Sequence, residues 1–383
     1  MAEPIRTALS AEDQLGRYRV VRRIGAGAMG SVYEAEHVDL GKRVALKALL
    51  PHLEESEEVR LRMLREGKAA SAIRHPHVVD VTDVGVVDGV TFLVMELLEG
   101  EDLGRRLKDR GALTVEETAD ILVPVIAGLA AAHAAGVLHR DLKPANIFLT
   151  RGPYGEEVPK LVDFGIAKDL TLSEAKPLTE TGRVIGTPYY MSPEQVTAAR
   201  DIDARSDVYS MGVIIYHCLC GRTPFRGSSL YTVMSDVVRG AFESIDTLRP
   251  DLPSELRRLV MQAMATEPAD RCGSVAELGG RLAEFASTGV RDRWRPLLGS
   301  AREAPAARVT ESSPAEDLAD QTGQMSVNLD DPLDPPPVKT GIPLLPVALG
   351  VALLLAGAGW FFTRPTSTVA PQTPVAAEPP RAP

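Results

Sequence analysis

Residues 136–146 read GVLHRDLKPAN. Charged and polar side chains are crowded here into one short loop between apolar segments: His139, Arg140, Asp141, Lys143 and Asn146. Such crowding is hard to explain by structural needs alone. We therefore interpret the loop as a site of chemistry.

A second acidic position follows in residues 161–165, which read LVDFG. Asp163 comes directly after an apolar strand and directly before the phenylalanine and glycine that end this stretch. Mg²⁺ prefers carboxylate and other oxygen ligands together with substrate phosphates. Asp163 and Asn146 supply such oxygens, and they predict a magnesium site.

A glycine-rich loop of Gly25, Gly27 and Gly30 lies between two strand-like segments, residues 18–24 and 31–36. The G-x-G-x-x-G motif of dinucleotide-binding proteins opens a helix. No helical pattern follows here, which disfavours a Rossmann fold. A glycine hairpin can instead lay its backbone N–H groups on a triphosphate. An ordinary flexible hairpin is the alternative that the motif alone leaves open.

Lys47 ends an apolar strand, residues 43–47, and a charge at the end of a buried strand needs an acidic partner or a ligand phosphate. Glu66, in a helix-like segment from 54 to 73, is a candidate partner. Taken on their own, both side chains would be interpreted first as solvated surface charges.

Composition bounds the class of protein. The 383 residues are 44% hydrophobic and 25% charged, as in an ordinary globular chain. A net charge of −10 argues against nucleic acid as a partner, because a nucleic-acid-binding domain is basic. Three cysteines, Cys218, Cys220 and Cys272, are too few for a disulfide framework or a zinc site, and Cys218 and Cys220 are expected to be small buried hydrophobes.

The texture of the chain changes towards its C-terminus. Residues 301–340 hold eight acidic and three basic residues and six prolines, which predicts a disordered, solvated linker. Residues 342–362 then run for 21 positions without a charge, about 32 Å of helix, enough to cross a bilayer once. A buried core helix is the alternative, but two Pro-rich flanks offer no domain to bury it.

The segments IGAGAMGSV, VALK, HRDLKPAN, DFG and SPE occur in this order. The ordered set resembles the signature of the protein-kinase fold, specifically the bacterial eukaryotic-like (Hanks-type) serine/threonine kinases. The resemblance implies an α+β, two-lobed fold with a β-rich N-lobe and a helical C-lobe. We expect an N-terminal extension (1–17), a kinase domain (18–287), an acidic Pro-rich juxtamembrane linker (288–341), one transmembrane helix (342–362) and a short Pro-rich extracytoplasmic tail (363–383).

The resemblance also implies the site. It assigns ATP contacts to Ile24, Gly25, Gly27, Gly30, Val32, Ala45, Lys47, Met95, Glu96, Leu98 and Phe148. Asp141 would accept the proton of the substrate hydroxyl and Lys143 would steady the γ-phosphate. Lys47 would hold the α- and β-phosphates and pair with Glu66 in the active state. Asn146 and Asp163 would bind Mg²⁺, for which Mn²⁺ can substitute.

Two features favour Ser/Thr over Tyr substrates. One is Lys143, and the other is the tripeptide Gly186-Thr187-Pro188 ahead of Ser192-Pro193-Glu194. Thr179 and Thr181, in the segment between Asp163 and Glu194, are the expected autophosphorylation sites, with Arg140 and Lys168 as cations for the phosphate. Merely polar loop threonines are the alternative. By resemblance, Thr187 touches the catalytic loop, Asp207 bonds its backbone and Arg271 pairs with Glu194.

We expect a single-pass protein of the inner membrane with its kinase domain in the cytoplasm, acting on proteins and on itself in trans. N-lobe dimers occur in the family, but nothing in this sequence specifies the contact. Two rivals remain: a pseudokinase scaffold, and a phosphotransferase acting on small molecules. The presence of Lys47, Asp141, Asn146 and Asp163 argues against the first, and the segment 186–194, which shapes a peptide groove in protein kinases, argues against the second.

Overall fold

The N-terminal part of the chain folds as an antiparallel sheet, as its alternating apolar positions predict. The computed structural model describes residues 9–27, 30–164, 188–199, 202–227 and 229–300. Six strands lie in the order β1-β2-β3-β4-β6-β5. They are β1 (Gln14–Leu15), β2 (Tyr18–Ala26), β3 (Gly30–His37), β4 (Lys42–Leu49), β5 (Val81–Val87) and β6 (Val90–Glu96).

The register of this sheet places the central strand β4 between two partners. Lys47 lies opposite Val32 of β3 and opposite Leu93 of β6. Ala45 lies opposite Met95 of β6. Side chains two apart on a strand share a face, so Ala45 and Lys47 look to the same side of the sheet.

Two helices, α1 (Pro51–Glu54) and α2 (Glu57–Ser71), interrupt the sheet between β4 and β5. The side chain of Ser56 caps α2 by accepting a hydrogen bond from the Val59 amide. α2 packs closely on the sheet at Gly67, where a Cβ would lie only 2.6 Å from the Leu93 side chain. Glu66 is half-buried on the same helix.

The second lobe is helical and is built around two helices buried on nearly all sides, α4 (Val115–Ala134) and α6 (Arg205–Cys220). Helix α6 ends at Gly221, whose φ of +68° suits glycine and whose N–H donates to the His217 carbonyl. The other helices here are α3 (Leu103–Arg110), α5 (Pro193–Val196), α7 (Leu230–Arg239), α8 (Ile245–Leu248), α9 (Ser254–Ala263), α10 (Val275–Leu282) and α11 (Thr288–Ser300).

A small sheet of β7 (Gly100–Asp102), β8 (Ile147–Arg151) and β9 (Glu157–Leu161) packs on the helical core, and β9 runs directly into the segment that carries Asp163. Strand β9 also pairs with the loop before β5 through a parallel bridge between Val78 and Leu161. That loop therefore contacts the segment leading to Asp163.

The folded unit is longer at both ends than the interval predicted from the motifs. Residues 288–300, predicted to begin the linker, form α11, because Val290, Trp294 and Leu298 recur every fourth position and pack on the helical core. Trp294 and Leu298 are only 5% and 4% exposed. At the other end, Leu15 of the predicted extension is fully buried in β1.

None of the helices in the described ranges is long and apolar enough to cross a bilayer. The span predicted at 342–362 lies outside those ranges.

Candidate active site

The loop of residues 136–146 folds so that its catalytic candidates contact one another. The ammonium of Lys143 lies 2.7 Å from Oδ2 of Asp141. The Asn146 side chain, in a 3-10 turn over Pro144–Asn146, donates from Nδ2 to the Asp141 carbonyl at 2.8 Å. The amide nitrogen of Asn146 thus stiffens the loop and leaves its oxygen as the atom suited to a cation.

Asp207, at the start of α6, holds the backbone of this loop from beneath. Its carboxylate accepts the His139 amide at 2.9 Å and the Arg140 amide at 3.0 Å. Arg140 has a φ of +60°, a conformation that non-glycine residues adopt rarely. The two hydrogen bonds therefore stabilise a strained turn that sets the position of Asp141.

The electrostatics of Asp207 suit this role. Burial raises the pKa of its carboxyl, but a hydrogen bond from His133 at 2.8 Å and the neighbouring His139 outweigh burial, so the net pKa lies below its ordinary value. The carboxylate stays charged at neutral pH and keeps both amides bound. Sequence reasoning missed His133, although its position on a helix three residues before the loop was visible.

Hydrogen bonds of its neighbour Val162 hold Asp163 beside the loop of residues 136–146. The Val162 amide donates to the Asn146 carbonyl at 2.9 Å, and His139 Nε2 donates to the Val162 carbonyl at 3.1 Å. Asp163 itself has a φ of +53°, and its Oδ1 accepts from the Lys47 ammonium at 2.7 Å. Lys47 on the sheet of one lobe and Asp163 on the other thus form one ion pair.

Burial raises the pKa of the Asp163 carboxyl. The charge and hydrogen bond of Lys47 and the charge of Lys143 outweigh this effect, so the net pKa lies below its ordinary value. Within the described ranges, no cluster of three or more His, Cys, Asp or Glu side chains could hold a metal ion. A carboxylate and an amide oxygen fit a cation that takes its other ligands from phosphates and water, as Mg²⁺ does.

Among the described residues, the salt bridge of Lys47 is the one to Asp163, in place of the expected one to Glu66. Glu66 lies on α2, which packs against the sheet that carries Lys47. The pairing of Lys47 with Glu66 stays a prediction for an active state.

Several predicted adenine contacts share one apolar cluster beneath the sheet. Ala45 and Met95 are buried in it, and Val32 and Leu98 pack against it half-buried. Phe148 lies apart from this cluster on β8, half-buried, and Ile24 is 40% exposed near the end of β2. The structure therefore brings four of these six residues together directly.

A backbone hydrogen bond joins the two described ends of the glycine-rich loop. The Gly27 amide donates to the Gly30 carbonyl at 2.8 Å. Gly30 lies against β4, where a Cβ would come within 2.5 Å of the Ala48 carbonyl oxygen. This close approach, rather than flexibility alone, requires glycine at position 30.

Gly30→Ala is expected to lower the free energy of unfolding by about 1–3 kcal/mol, because backbone must move to admit the methyl group. Urea denaturation measures the change. Gly27→Ala is the matched control, since the nearest atom of the described residues would lie 3.8 Å from its Cβ. Equal losses for the two variants would contradict this reading of Gly30.

A family model described as the protein kinase domain matches residues 18–279. The chain belongs to the protein kinase family. Its resemblance to bacterial serine/threonine kinases is confirmed by relatives such as the serine/threonine-protein kinase PknH of Mycobacterium tuberculosis, 37% identical over 288 residues.

Those residues are 75% of this chain and 45% of PknH. The serine/threonine-protein kinase pkn2 of Myxococcus xanthus is 38% identical over 292 residues, 76% of this chain and 35% of pkn2. This kinase chain thus spans half or less of the length of these curated relatives. The crystal structure of the M. tuberculosis PknI kinase domain matches 73% of this chain and 100% of its own, with 33% identity and a TM-score of 0.58. Family membership implies ATP and a divalent metal ion.

Glu96, one of the predicted ATP contacts, is held by two residues that sequence reasoning missed. Glu96, at the end of β6, accepts a hydrogen bond from the Lys160 ammonium at 2.7 Å and another from the Asp80 amide at 2.8 Å. The Glu96 side chain is therefore fixed, while its role towards adenine is expected from its backbone alone. A lysine alternating with apolar residues on β9 was the available signal.

A buried ion pair anchors the far end of the segment that carries the predicted phosphosites. Arg271 donates to both carboxylate oxygens of Glu194, at 2.6 and 2.8 Å, and to three backbone carbonyls. Ser206 donates to the same carboxylate. Burial raises the pKa of Glu194, but these hydrogen bonds outweigh burial and hold the net pKa below its ordinary value.

Tyr190 provides a second anchor for this end, which the motifs did not predict. Its phenol lies 2.8 Å from His217 Nδ1 on α6, and its carbonyl accepts from Ser210 at 2.7 Å. The predicted residues Lys168, Thr179, Thr181 and Thr187 lie outside the described residues.

Proposed function

We propose that this chain is an ATP-dependent protein kinase that transfers the γ-phosphate of ATP to serine and threonine hydroxyls of proteins. One observation carries the proposal: Asp141, Lys143 and Asn146 contact one another, and Asp163 is paired with Lys47 beside them. A pseudokinase would lack at least one of these groups.

The chemistry follows from their charges. Phosphoryl transfer needs positioned groups and neutralised charge more than covalent chemistry. Lys47 is placed to bind the α- and β-phosphates, and Lys143 to neutralise charge on the γ-phosphate. Asp141, held at Oδ2 by Lys143, orients the attacking hydroxyl and accepts its proton. Bound Mg²⁺, or Mn²⁺ in its place, would neutralise phosphate charge beside Asn146 and Asp163.

The test uses the full chain with Mg²⁺, labelled ATP and three peptides that differ only in a central Ser, Thr or Tyr. We expect the Ser and Thr peptides to be labelled and the Tyr peptide to stay unlabelled. Asp141→Asn should abolish transfer while ATP still binds. Labelling only of a small hydroxyl compound would favour the small-molecule phosphotransferase, and ATP binding without any transfer would favour the pseudokinase.

We further propose self-activation in trans at Thr179 and Thr181. Arg140 supports it, because its backbone is fixed by Asp207 and by Gln195, which donates to the Arg140 carbonyl at 2.7 Å. A phosphate between two cations can order a loop.

The variant Thr179→Ala, Thr181→Ala should lose at least about tenfold in peptide phosphorylation, the equivalent of one hydrogen bond to a charged group. The control Thr171→Ala, Ser173→Ala removes hydroxyls from the same segment. Wild-type chain should also phosphorylate an Asp141→Asn chain, which cannot modify itself. Full activity of the Thr179, Thr181 variant would refute the proposal.

For location, we propose a single-pass inner-membrane protein with a cytoplasmic kinase domain, supported by the uncharged run at 342–362 and by the need for ATP. In cell fractionation, the wild-type chain should stay in the membrane fraction after carbonate extraction. A chain with Leu353→Arg and Leu354→Arg should be found in the supernatant. Wild-type chain in the carbonate supernatant would refute this location.

A further inference from the structure

The last helix of the described residues, α11, is fixed at several points. The Ser287 amide, just before it, donates to Asp120 on α4 at 2.8 Å. Leu298, near its end, packs on α10. Between these points, the buried Trp294 ring lies 5.3 Å from the ring of His75 and 5.0 Å from that of His77, measured between centroids.

His77 in turn is hydrogen-bonded to strand β9 through both its side chain and its backbone. Its ring Nδ1 lies 2.6 Å from the Pro159 carbonyl, and its own carbonyl accepts from the Leu161 amide at 2.8 Å. Burial lowers the pKa of His77 to about 4, so the ring is neutral at neutral pH and its one proton lies on Nδ1. Trp294 covers the ring that makes this contact.

Strand β9 connects His77 to Asp163, the predicted metal ligand. The Leu161 carbonyl accepts from the Val79 amide at 2.9 Å, so both backbone groups of Leu161 are bonded. Both backbone groups of Val162 are bonded as well, to the catalytic loop. Asp163 follows directly, and no unbonded residue lies between β9 and its backbone.

We propose that Trp294 is a positioning residue for Asp163, acting through His77 and strand β9. The proposal rests on the function proposed above, since Asp163 matters there as the ligand of the metal ion. Trp294 contacts neither substrate nor metal. It holds His77 against β9 and so fixes where the Asp163 carboxylate stands relative to Lys47 and Asn146.

The experiment compares Trp294→Ala with Leu298→Ala in the full chain. Leu298 lies on the same helix and is equally buried, but it packs against Gly279 on α10, where a Cβ would lie 3.0 Å from its Cδ1. Three quantities are measured: the melting temperature, the exchange rate of the Leu161 amide hydrogen, and the Mg²⁺ concentration that gives half-maximal peptide phosphorylation.

For Trp294→Ala we expect amide exchange at Leu161 to be at least about tenfold faster, as local opening becomes easier. The half-saturating Mg²⁺ concentration should rise at least about fivefold, because losing a group that orients a metal ligand typically costs about 10- to 100-fold in metal affinity or activity. Leu298→Ala should lower the melting temperature by a similar amount without either effect. Trp294→Phe keeps a ring on His77 and should recover most of both.

Trp294 would be an ordinary core residue, and the proposal overturned, if both readouts changed no more than in Leu298→Ala. If Trp294→Ala does not fold, Trp294→Leu decides by the same two readouts. If the wild type transfers no phosphate, the proposed function fails, while the exchange rate at Leu161 still decides whether Trp294 holds β9.

Discussion

Replacing Asp163 by asparagine is expected to lower the rate of phosphoryl transfer by about 10³-fold, the upper end of the cost of one electrostatic contact in an active site. The side chain keeps its size but loses its charge. Lys47 then loses the ion pair at 2.7 Å, and a bound cation loses its one carboxylate among the predicted ligands. The positive φ of Asp163 is tolerated by asparagine.

Initial rates with labelled ATP and a Ser peptide measure this effect, and the melting temperature checks that the variant is folded. Asp109→Asn is the control, because Asp109 is an exposed carboxylate on α3. That control should keep the wild-type rate. A rate for Asp163→Asn within tenfold of wild type would contradict the role given to this residue.

Arg271→Met is expected to lower the free energy of unfolding by about 3–5 kcal/mol, because breaking a buried ion pair leaves a buried charge without its partner. The Arg271 side chain is fully buried, and that of Glu194 is 11% exposed. Three backbone carbonyls lose their donor as well. This is the largest loss of stability that we expect from a single side chain outside the apolar core.

Chemical denaturation near neutral pH measures the loss. Arg258→Met is the matched control, since Arg258 and its partner Glu255 are both 68% exposed, and its effect should stay below about 0.5 kcal/mol. The double variant Arg271→Met, Glu194→Gln should recover part of the loss. Equal stability of the two arginine variants would show that the buried pair contributes nothing.

The pH dependence of this pair has a definite sign. The folded pKa of Glu194 lies below its ordinary value of about 4.3. The contribution of the pair is therefore complete above that value and is lost as the pH falls through the lower folded pKa. The difference in stability between wild type and Arg271→Met should shrink in that acid range.

Much of the active site could be predicted from the sequence, because several of the site residues lie close together along the chain. Asp141, Lys143 and Asn146 fall within one loop, and a loop of six residues has few ways to arrange them. The distant pair of Arg271 and Glu194, 77 positions apart, followed only from the resemblance to kinases. Periodicity and spacing alone gave no reason to join them.

Residues that act across lobes were harder to predict. Lys47 had Glu66 as the nearer acidic candidate in the chain, whereas the described pair is with Asp163. Choosing between two carboxylates depends on how the lobes close, and local pattern does not encode that. Helix α11 is a different case, because Val290, Trp294 and Leu298 show helical spacing in the sequence. The acidic, Pro-rich composition of the residues beyond α11 led us to place the end of the folded domain too early in the chain.

The decisive measurement is phosphosite mapping by mass spectrometry, after the full chain and, separately, an Asp141→Asn chain have been incubated with Mg²⁺ and ATP. Phosphothreonine at Thr179 or Thr181 in the wild type, and none in the variant, is the result expected of a self-activating serine/threonine kinase. No incorporation in a wild-type chain that still binds ATP would contradict the account.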